Sequence, residues 1–374
     1  MITTDSQRSG HVALELPMSA HRQSIARMRA LITKIPRVKL AITPTPLVEA
    51  PNLSKALGGP RIFIKHDDMS GSAFGGNKLR LLEFRLAQTL TERADTVIFG
   101  LDVQSNSARC VTAACNKLGL RTILVLLGSK PAEVQGNLLV DYLLGAEIHF
   151  AKDAAEQRRM LNDLAKRVTA AGGRPHIMND NVMFYPASAI AYIEATMEIL
   201  EQLDEQALEP RCLYMSSGGK GQAGIVLAQR ELKTRFEMRG VTASGAYDVP
   251  VRTAELANQT ARVLGVEPTF TVKDIVNYDN FVGDGYGIPS PAGTDAVFLF
   301  ARTEGVIVDP IYSGKCAAAM IAHIREGQFR KDDVVVFVHT GGSPAIFTWN
   351  KLWLDREPAG GGTAPILKGN AHVA

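Results

Sequence analysis

Residues 1 to 20 carry no regular spacing of apolar positions. Ala20 to Lys34 then sets Ile25, Met28, Leu31 and Ile32 at helical intervals, which predicts a helix with an apolar face that needs a partner. A surface helix or a contact between copies of the chain would satisfy it. From Thr43 a Pro-punctuated extended stretch leads into the β-rich run "RIFIKHDD", and the compact part of the protein is expected to start there. Beyond it one pattern recurs: a short apolar run, a turn rich in Gly, Ser, Thr or Asn, and a segment of helical periodicity. "TVIFG" precedes "LDVQSNSARCVTAACNKLG", "TILVLLG" precedes "SKPAEVQGNLLVDYLLG", "CLYMS" precedes "SGGKGQAGIVLAQREL", and "VVVFV" precedes "HTGGSPAIF". That alternation predicts an α/β fold with mainly parallel sheets covered by helices. There is no short internal repeat, and the tail over 357–374, rich in Gly and small residues, reads as a frayed terminus.

Composition narrows the picture without changing it. At 374 residues, with 46% hydrophobic and 21% charged positions, the chain fits two lobes of an ordinary globular protein. A net charge of +3 and the absence of a basic block with interleaved aromatics point away from nucleic acid and anionic membranes, and toward a small-molecule substrate. Cys110, Cys115, Cys212 and Cys316 lack zinc-site spacing and are too few for a disulfide scaffold, so they read as buried thiols in a reducing compartment, and no metal site is expected. Asp5, Glu15 and Pro17 interrupt the N-terminus, no apolar run reaches membrane length, and cytoplasmic placement is the expectation.

Ligands of open parallel sheets bind beyond the carboxyl ends of the strands, so the loops there carry the candidate chemistry. In "GSAFGGNKLRLLEF", Gly75 and Gly76 permit unusual backbone angles and Lys78 starts a helix with Leu79, Leu82 and Leu86 on its apolar face. An amine at that dipole end, if shielded from water, is a nucleophile suited to imine formation; otherwise it is a solvated surface lysine. "QSNSAR" offers Gln104, Ser105, Asn106 and Ser107 ahead of a helix beginning near Ala108, either to hold a carboxylate or to cap the helix. "SSGGKGQAG" has Gly218, Gly219, Gly221 and Gly224, letting backbone approach a phosphate. Its Gly219-x-Gly221-x-x-Gly224 spacing also matches a dinucleotide fingerprint, with Asp248 where a ribose-binding acid would be sought. "HTGGSPAIF" adds Thr340, and His339 beside it reads as structural.

Taken in order, "GGNKLR", "QSNSAR", "SSGGKGQAG", "GYGIPSP", "FARTEGVIVDPIYSGK" and "HTGG" resemble the D-cysteine desulfhydrase and 1-aminocyclopropane-1-carboxylate deaminase family over roughly Thr43 to Trp349. The resemblance implies a two-domain fold of the tryptophan synthase β type, fold type II among enzymes using pyridoxal 5′-phosphate. A smaller domain over 81–190 would be inserted in a larger one made of 43–80 and 191–356, with 1–42 as an extension carrying the first helix. It implies that Lys78 holds the cofactor as an imine and, once released, serves as base. Asn77, Asn106, Ser217, Gly218, Gly219, Lys220, Gly221, Gln222, Ser313 and Thr340 would bind the cofactor, Asn106 at its phenolic oxygen and the glycine loop at its phosphate. Ser105, Asn106, Ser107, Tyr286 and Tyr312 would face the substrate, with Ser105 and neighbouring N–H groups on its carboxylate and either tyrosine as proton donor or ring wall. Ser313 and Thr340 are hydroxyl residues where the deaminase branch has an acid and an apolar residue, which leans the chain toward the desulfhydrase side and β-elimination. A homodimer is expected.

The chain departs from that family at Ser107 and Cys110, at Lys220 in the glycine loop, and at the bulky Met178, Met183, Phe184 and Tyr185, which read as a reshaped lid. The expected activity is therefore a pyridoxal-phosphate-dependent lyase or deaminase acting on a small amino acid, with an altered pocket and a substrate other than D-cysteine. Competing expectations are a β-replacement or ring-forming enzyme, a nicotinamide-dependent dehydrogenase, and a carrier or regulator without catalysis.

Overall fold

The computed structural model describes residues 21–267 and 269–355. The expectations for residues 1 to 20 and for the tail over 357–374 lie outside the described residues. The first helix, α1 (Arg22–Ile32), buries Ile25, Met28 and Ile32 in the main core, and Arg27 and Arg29 pair with Glu231 and Glu201. Its apolar face is covered by the chain itself and its polar face is exposed, so α1 is a surface helix, and no contact between copies is needed to cover it. The compact part thus begins before Thr43.

The chain continues through β1 (Leu47–Glu49), α2 (Pro51–Leu57), β2 (Arg61–His66), α3 (Lys78–Thr91), β3 (Thr96–Asp102), α4 (Asn106–Lys117), β4 (Arg121–Leu127) and α5 (Gly136–Leu143). Next come β5 (Glu147–Ala151), α6 (Ala154–Ala170), β6 (Pro175–Ile177) and α7 (Pro186–Asp204). Then follow β7 (Cys212–Ser217), α8 (Lys220–Glu231), β8 (Glu237–Thr242), α9 (Val249–Leu264), β9 (Val276–Tyr278), α10 (Pro291–Glu304), α11 (Ser313–Arg325), β10 (Val334–His339) and α12 (Asn350–Leu354).

Two sheets result. One has the order β1-β2-β10-β7-β8-β9 and the other β5-β4-β3-β6. Every pairing is parallel except the edge pair β1 with β2. The fold is α/β with mainly parallel sheets. The inner strands are apolar on both faces because helices cover both: all six residues of β10 are buried, as is "TILVL" of β4. β10 lies between β2 and β7, with Val335 opposite both Ile62 and Cys212.

α7 and α8 pack so closely that a Cβ on Gly224 would meet the carbonyl oxygen of Ala189 at 2.0 Å. Small residues on α7 make this approach possible. Beneath it a buried ion network joins β2, α3 and α7. Arg80 donates to both oxygens of Glu198 (2.8 and 2.7 Å), to Asp67 Oδ1 (3.0 Å) and to Thr45 Oγ1 (2.9 Å), while Lys65 Nζ reaches Glu198 at 2.9 Å and Gln202 at 2.8 Å. The start of α3 is fixed by this network, two residues from Lys78. Among the described residues no helix is long and apolar enough to cross a membrane.

Candidate active site

The carboxyl ends of β3, β7 and β10 and the first turns of α3, α4 and α8 surround a cavity of about 410 Å³. Asn77, Lys78, Ser105, Asn106, Ser107, Ser217, Gly218, Lys220, Gly221, Tyr286, Tyr312 and Thr340 line it. The sequence also nominated Gly219, Gln222 and Ser313; none of these belongs to the wall.

Lys78 is the first residue of α3 and its Nζ donates to Asn77 Oδ1 at 2.8 Å. Burial, reinforced by the charges of Arg85 and Arg109, brings its amine down to about 8. The loop before it is held in left-handed backbone: φ is 57° at Gly75 and 107° at Gly76, and also positive at Ala73 and Phe74. A Cβ on Gly75 would meet the Asp68 carbonyl oxygen at 1.9 Å, and one on Gly341 would meet Gly76 Cα at 2.7 Å. Glycine is required at both because two backbones touch there. Arg109, fully buried in α4, donates to the carbonyls of Ala73 and Gly75 and through Nε to Asn137 Oδ1 (2.8 Å), clamping this loop. The backbone N–H of Asn77 donates to the Thr340 carbonyl at 3.0 Å, tying the loop after β10 to the start of α3.

Ser105 caps α4, its Oγ accepting from the N–H groups of Ser107 (3.1 Å) and Ala108 (3.4 Å). The helix thus starts at Asn106, slightly earlier than expected. Asn106 Oδ1 accepts from Asn137 Nδ2 at 2.9 Å, which leaves the Asn106 amide nitrogen to donate into the cavity. At α8, Ser217 Oγ donates to Gln222 Oε1 (2.6 Å) and accepts from the Gly219 N–H (3.1 Å), and Gln222 Nε2 donates to the Val276 carbonyl (2.8 Å). These bonds turn the Gln222 side chain and the Gly219 N–H away from the cavity. What remains facing it is Gly218, where a Cβ would have nothing within 4 Å, and the start of α8 at Lys220 and Gly221.

The other two fingerprint glycines serve packing as well. Gly221 lies against Tyr192 and Met215, and Gly224 against Ala189, while Asp248 caps α9 by accepting from the Val251 N–H at 3.0 Å. With Asp248 committed to that cap, the dinucleotide reading loses its ribose-binding acid. Ser313 is also accounted for: its Oγ donates to Asp309 Oδ2 at 2.5 Å, and Asp309 accepts from the N–H groups of Ile311, Tyr312 and Ser313. Of the residues read as a lid, Phe184 lines the cavity, whereas Met178 is fully buried in the core.

On the opposite side Tyr286 and Tyr312 share a hydrogen bond of 2.6 Å, and Tyr286 donates to Asp102 Oδ2 at 3.4 Å. Burial holds both phenols above their ordinary range, so each keeps its proton. Lys315 fixes the Gly-rich loop of Tyr286 by donating to the Gly285 carbonyl at 2.9 Å. Asp102, Arg85, Arg109 and Arg252 are the charged lining residues that the sequence reading missed. Arg85 had a signal, since it lies seven residues after Lys78 on one face of α3. Its Nε is buried without a partner, and burial brings the guanidinium down to about 9.

A family model described as pyridoxal-phosphate dependent enzyme matches residues 38–341. The chain is 35% identical over 329 residues to a D-cysteine desulfhydrase of Klebsiella pneumoniae (strain 342), covering 85% of this chain and 98% of that one. A crystal structure of an ACC deaminase homologue superposes with a TM-score of 0.78 at 29% identity, over 88% of this chain and 98% of that one. The processed form of threonine deaminase isoform 2 from Solanum lycopersicum shares the fold, with a TM-score of 0.61 at 16% identity over 89% of this chain and 88% of that one.

Proposed function

Because this chain belongs to the pyridoxal-phosphate-dependent enzymes, we propose that it is a lyase or deaminase that removes the Cα proton of a small amino acid and expels a β-substituent or opens a ring. The cavity fits the cofactor. Among the described residues Lys78, Arg85, Arg109, Lys220 and Arg252 line it against one acid, Asp102, so it favours an anionic group, and the glycine cradle at Gly218 opens onto the first turn of α8.

Lys78 would hold pyridoxal phosphate covalently through Nζ. Asn106 would donate to its phenolic oxygen from the free side of its amide, Gly218, Lys220 and Gly221 would take the phosphate, and the Thr340 hydroxyl would face the ring. When bound, the cofactor supplies an electron sink for the pair left at Cα. At the first turn of α4 the N–H groups of Ser107 and Ala108 are taken by the Ser105 cap, so the Asn106 N–H and the hydroxyls of Ser105 and Ser107 would receive the substrate carboxylate. Lys78 Nζ, as the free amine, would take the Cα proton, which its lowered basicity suits near neutral pH. Tyr312, still protonated and backed by Tyr286 and Asp102, delivers a proton to the departing group. Phe184 and Leu101 add apolar surface to the wall.

The observation that carries this reading is Lys78, an amine brought to about 8 at the start of a helix in a cavity that four loops share. Relatives named for desulfhydration and ACC deamination support a small β-substituted or cyclopropyl substrate. The experiment is a screen of purified protein against D- and L-amino acids, measuring keto acid and ammonia. Equal release of both from at least one small amino acid is the expected result; consumption without keto acid in every case would contradict it. The two sheets also support dividing the chain into a larger unit (43–80 and 191–356) and a smaller one (81–190), the first now extended by α1. We further propose a cytoplasmic homodimer. Exposed Leu139, Tyr142 and Leu143 on α5 give it an apolar face, and sedimentation velocity on the purified chain tests the stoichiometry.

A further inference from the structure

Three basic side chains on the phosphate side of the cavity are threaded by aromatic rings. The Arg85 guanidinium lies 4.0 Å from the Phe184 ring centre, Lys220 Nζ lies 4.6 Å from Phe184 and 5.1 Å from Tyr185, and the Arg252 guanidinium lies 5.6 Å from Tyr185 and 4.2 Å from Tyr247. The stack runs from Arg85, which is buried, to Tyr247, which is exposed at the mouth. Among the described residues no carboxylate pairs with any of the three. Arg85 spends its hydrogen bonds on the Phe184 carbonyl and Ser188 Oγ. The stem of Arg252 lies 3.2 Å from the position of a Cβ on Gly219, which holds that side chain against the glycine cradle. Lys220 is the first residue of α8, so its amine and its own N–H both belong to the phosphate end.

Resting on the cofactor-binding reading above, we infer that Lys220 is a proton-coupled phosphate anchor. It lodges as a neutral amine between the Phe184 and Tyr185 rings before phosphate binds, and takes a proton from solvent when a phosphate dianion enters the cup. The groups facing Lys220 explain why one protonation state gives way to the other. α3 presents Arg85 and Lys78, α9 presents Arg252 and the turn before α7 presents Tyr185, while in the turn before α9 Tyr247 lies against Arg252 and Asp248 is committed to capping α9. Burial and then the charges of Arg85, Arg252 and Lys78 bring the Lys220 amine down to about 6, and ring faces alone do not restore it. A dianion at the start of α8 reverses the sign of that local field. Binding therefore consumes a proton, and phosphate affinity falls as pH rises above the value for the free amine. Lys220 acts here by positioning the phosphate and takes no part in bond making.

The probe is pyridoxine 5′-phosphate, which carries the phosphate but no aldehyde. It is titrated calorimetrically into the full chain freed of cofactor, at pH 7.5, in two phosphate-free buffers of different ionisation enthalpy. The wild type is expected to take up about one proton per ligand bound. Lys220→Gln should lose most of that uptake and bind roughly tenfold more weakly, and Lys220→Arg, charged throughout, should recover the affinity without the uptake. Uptake in Lys220→Gln or Lys220→Arg equal to that of the wild type would overturn the inference. Covalent labelling of Lys78 by pyridoxal phosphate, followed in parallel, separates the two readings. Absence of labelling in the wild type removes the cofactor site itself, whereas labelling without Lys220-dependent proton uptake removes this inference alone.

Discussion

The chemistry of the site turns on how neighbours set the basicity of Lys78. Its amine must be uncharged to attack a carbonyl, and with a value of about 8 the uncharged fraction grows about tenfold per pH unit below that point and levels above it. The rate of cofactor attachment, followed by stopped-flow absorbance, should trace this curve. Arg85→Met removes one of the charges that lower the value and should move the midpoint upward; a midpoint near the ordinary 10.5 in the wild type would count against the burial argument. Tyr312→Phe should keep cofactor attachment and lower kcat roughly a hundredfold, because the proton donated to the departing group is lost. An unchanged kcat would exclude Tyr312 from that role. At this scale Gly-Gly-Asn-Lys, Gln-Ser-Asn and the glycine loop were legible as special backbone and helix starts, while it was several such loops matching one family in order that singled out Lys78, Ser105 and Asn106. Gln222 and Ser313 were not, since a polar side chain near a helix start can turn inward to a neighbour, here Ser217 and Asp309, as easily as toward a ligand.

Elements hold these residues in place through two contacts that no local pattern displays. Gly224 reads as part of a nucleotide fingerprint, yet its use is to let α8 touch the α7 backbone at Ala189. Gly224→Ala should destabilise the fold by roughly 1–3 kcal/mol or more, measured by urea unfolding, and a neutral result would show that the helices separate at little cost. The Arg80 to Glu198 network is the second. Burial alone would raise Glu198, but the hydrogen bonds and charge of Arg80, with Lys65, bring it to about 2. A carboxyl held below its ordinary 4.5 stabilises the folded state above pH ~4.5, and that share, roughly 3 kcal/mol, is lost as pH falls toward about 2. Glu198→Gln should lower stability at pH 7 by roughly 3–5 kcal/mol and flatten the acid limb of the stability curve. An unaltered acid limb would place the titration elsewhere. The spacing of α1 was legible, but its partner was not, because the surface that receives Ile25, Met28 and Ile32 comes from segments far along the chain.

For the molecule as a whole, the alternation of apolar run, polar turn and helical segment was enough to give parallel sheets and to send attention to the strand ends. The division into two sheets was beyond it. β10, the last strand, enters between β2 and β7, and nothing in "VVVFVH" specifies those neighbours. The cavity arises only when strand ends from both sheets meet, which is why its charge balance, among the described residues five basic side chains against Asp102, emerges from the fold and not from any one motif. That balance and the single lysine at the start of α3 together make the central claim, that Lys78 is the covalent anchor of pyridoxal phosphate. The direct measurement is borohydride reduction of the protein loaded with pyridoxal phosphate, followed by peptide mapping in the mass spectrometer. The account predicts one stable adduct, on Lys78, absent from Lys78→Ala. An adduct on Lys220 or on surface lysines in place of Lys78, or undiminished labelling of Lys78→Ala, would contradict it.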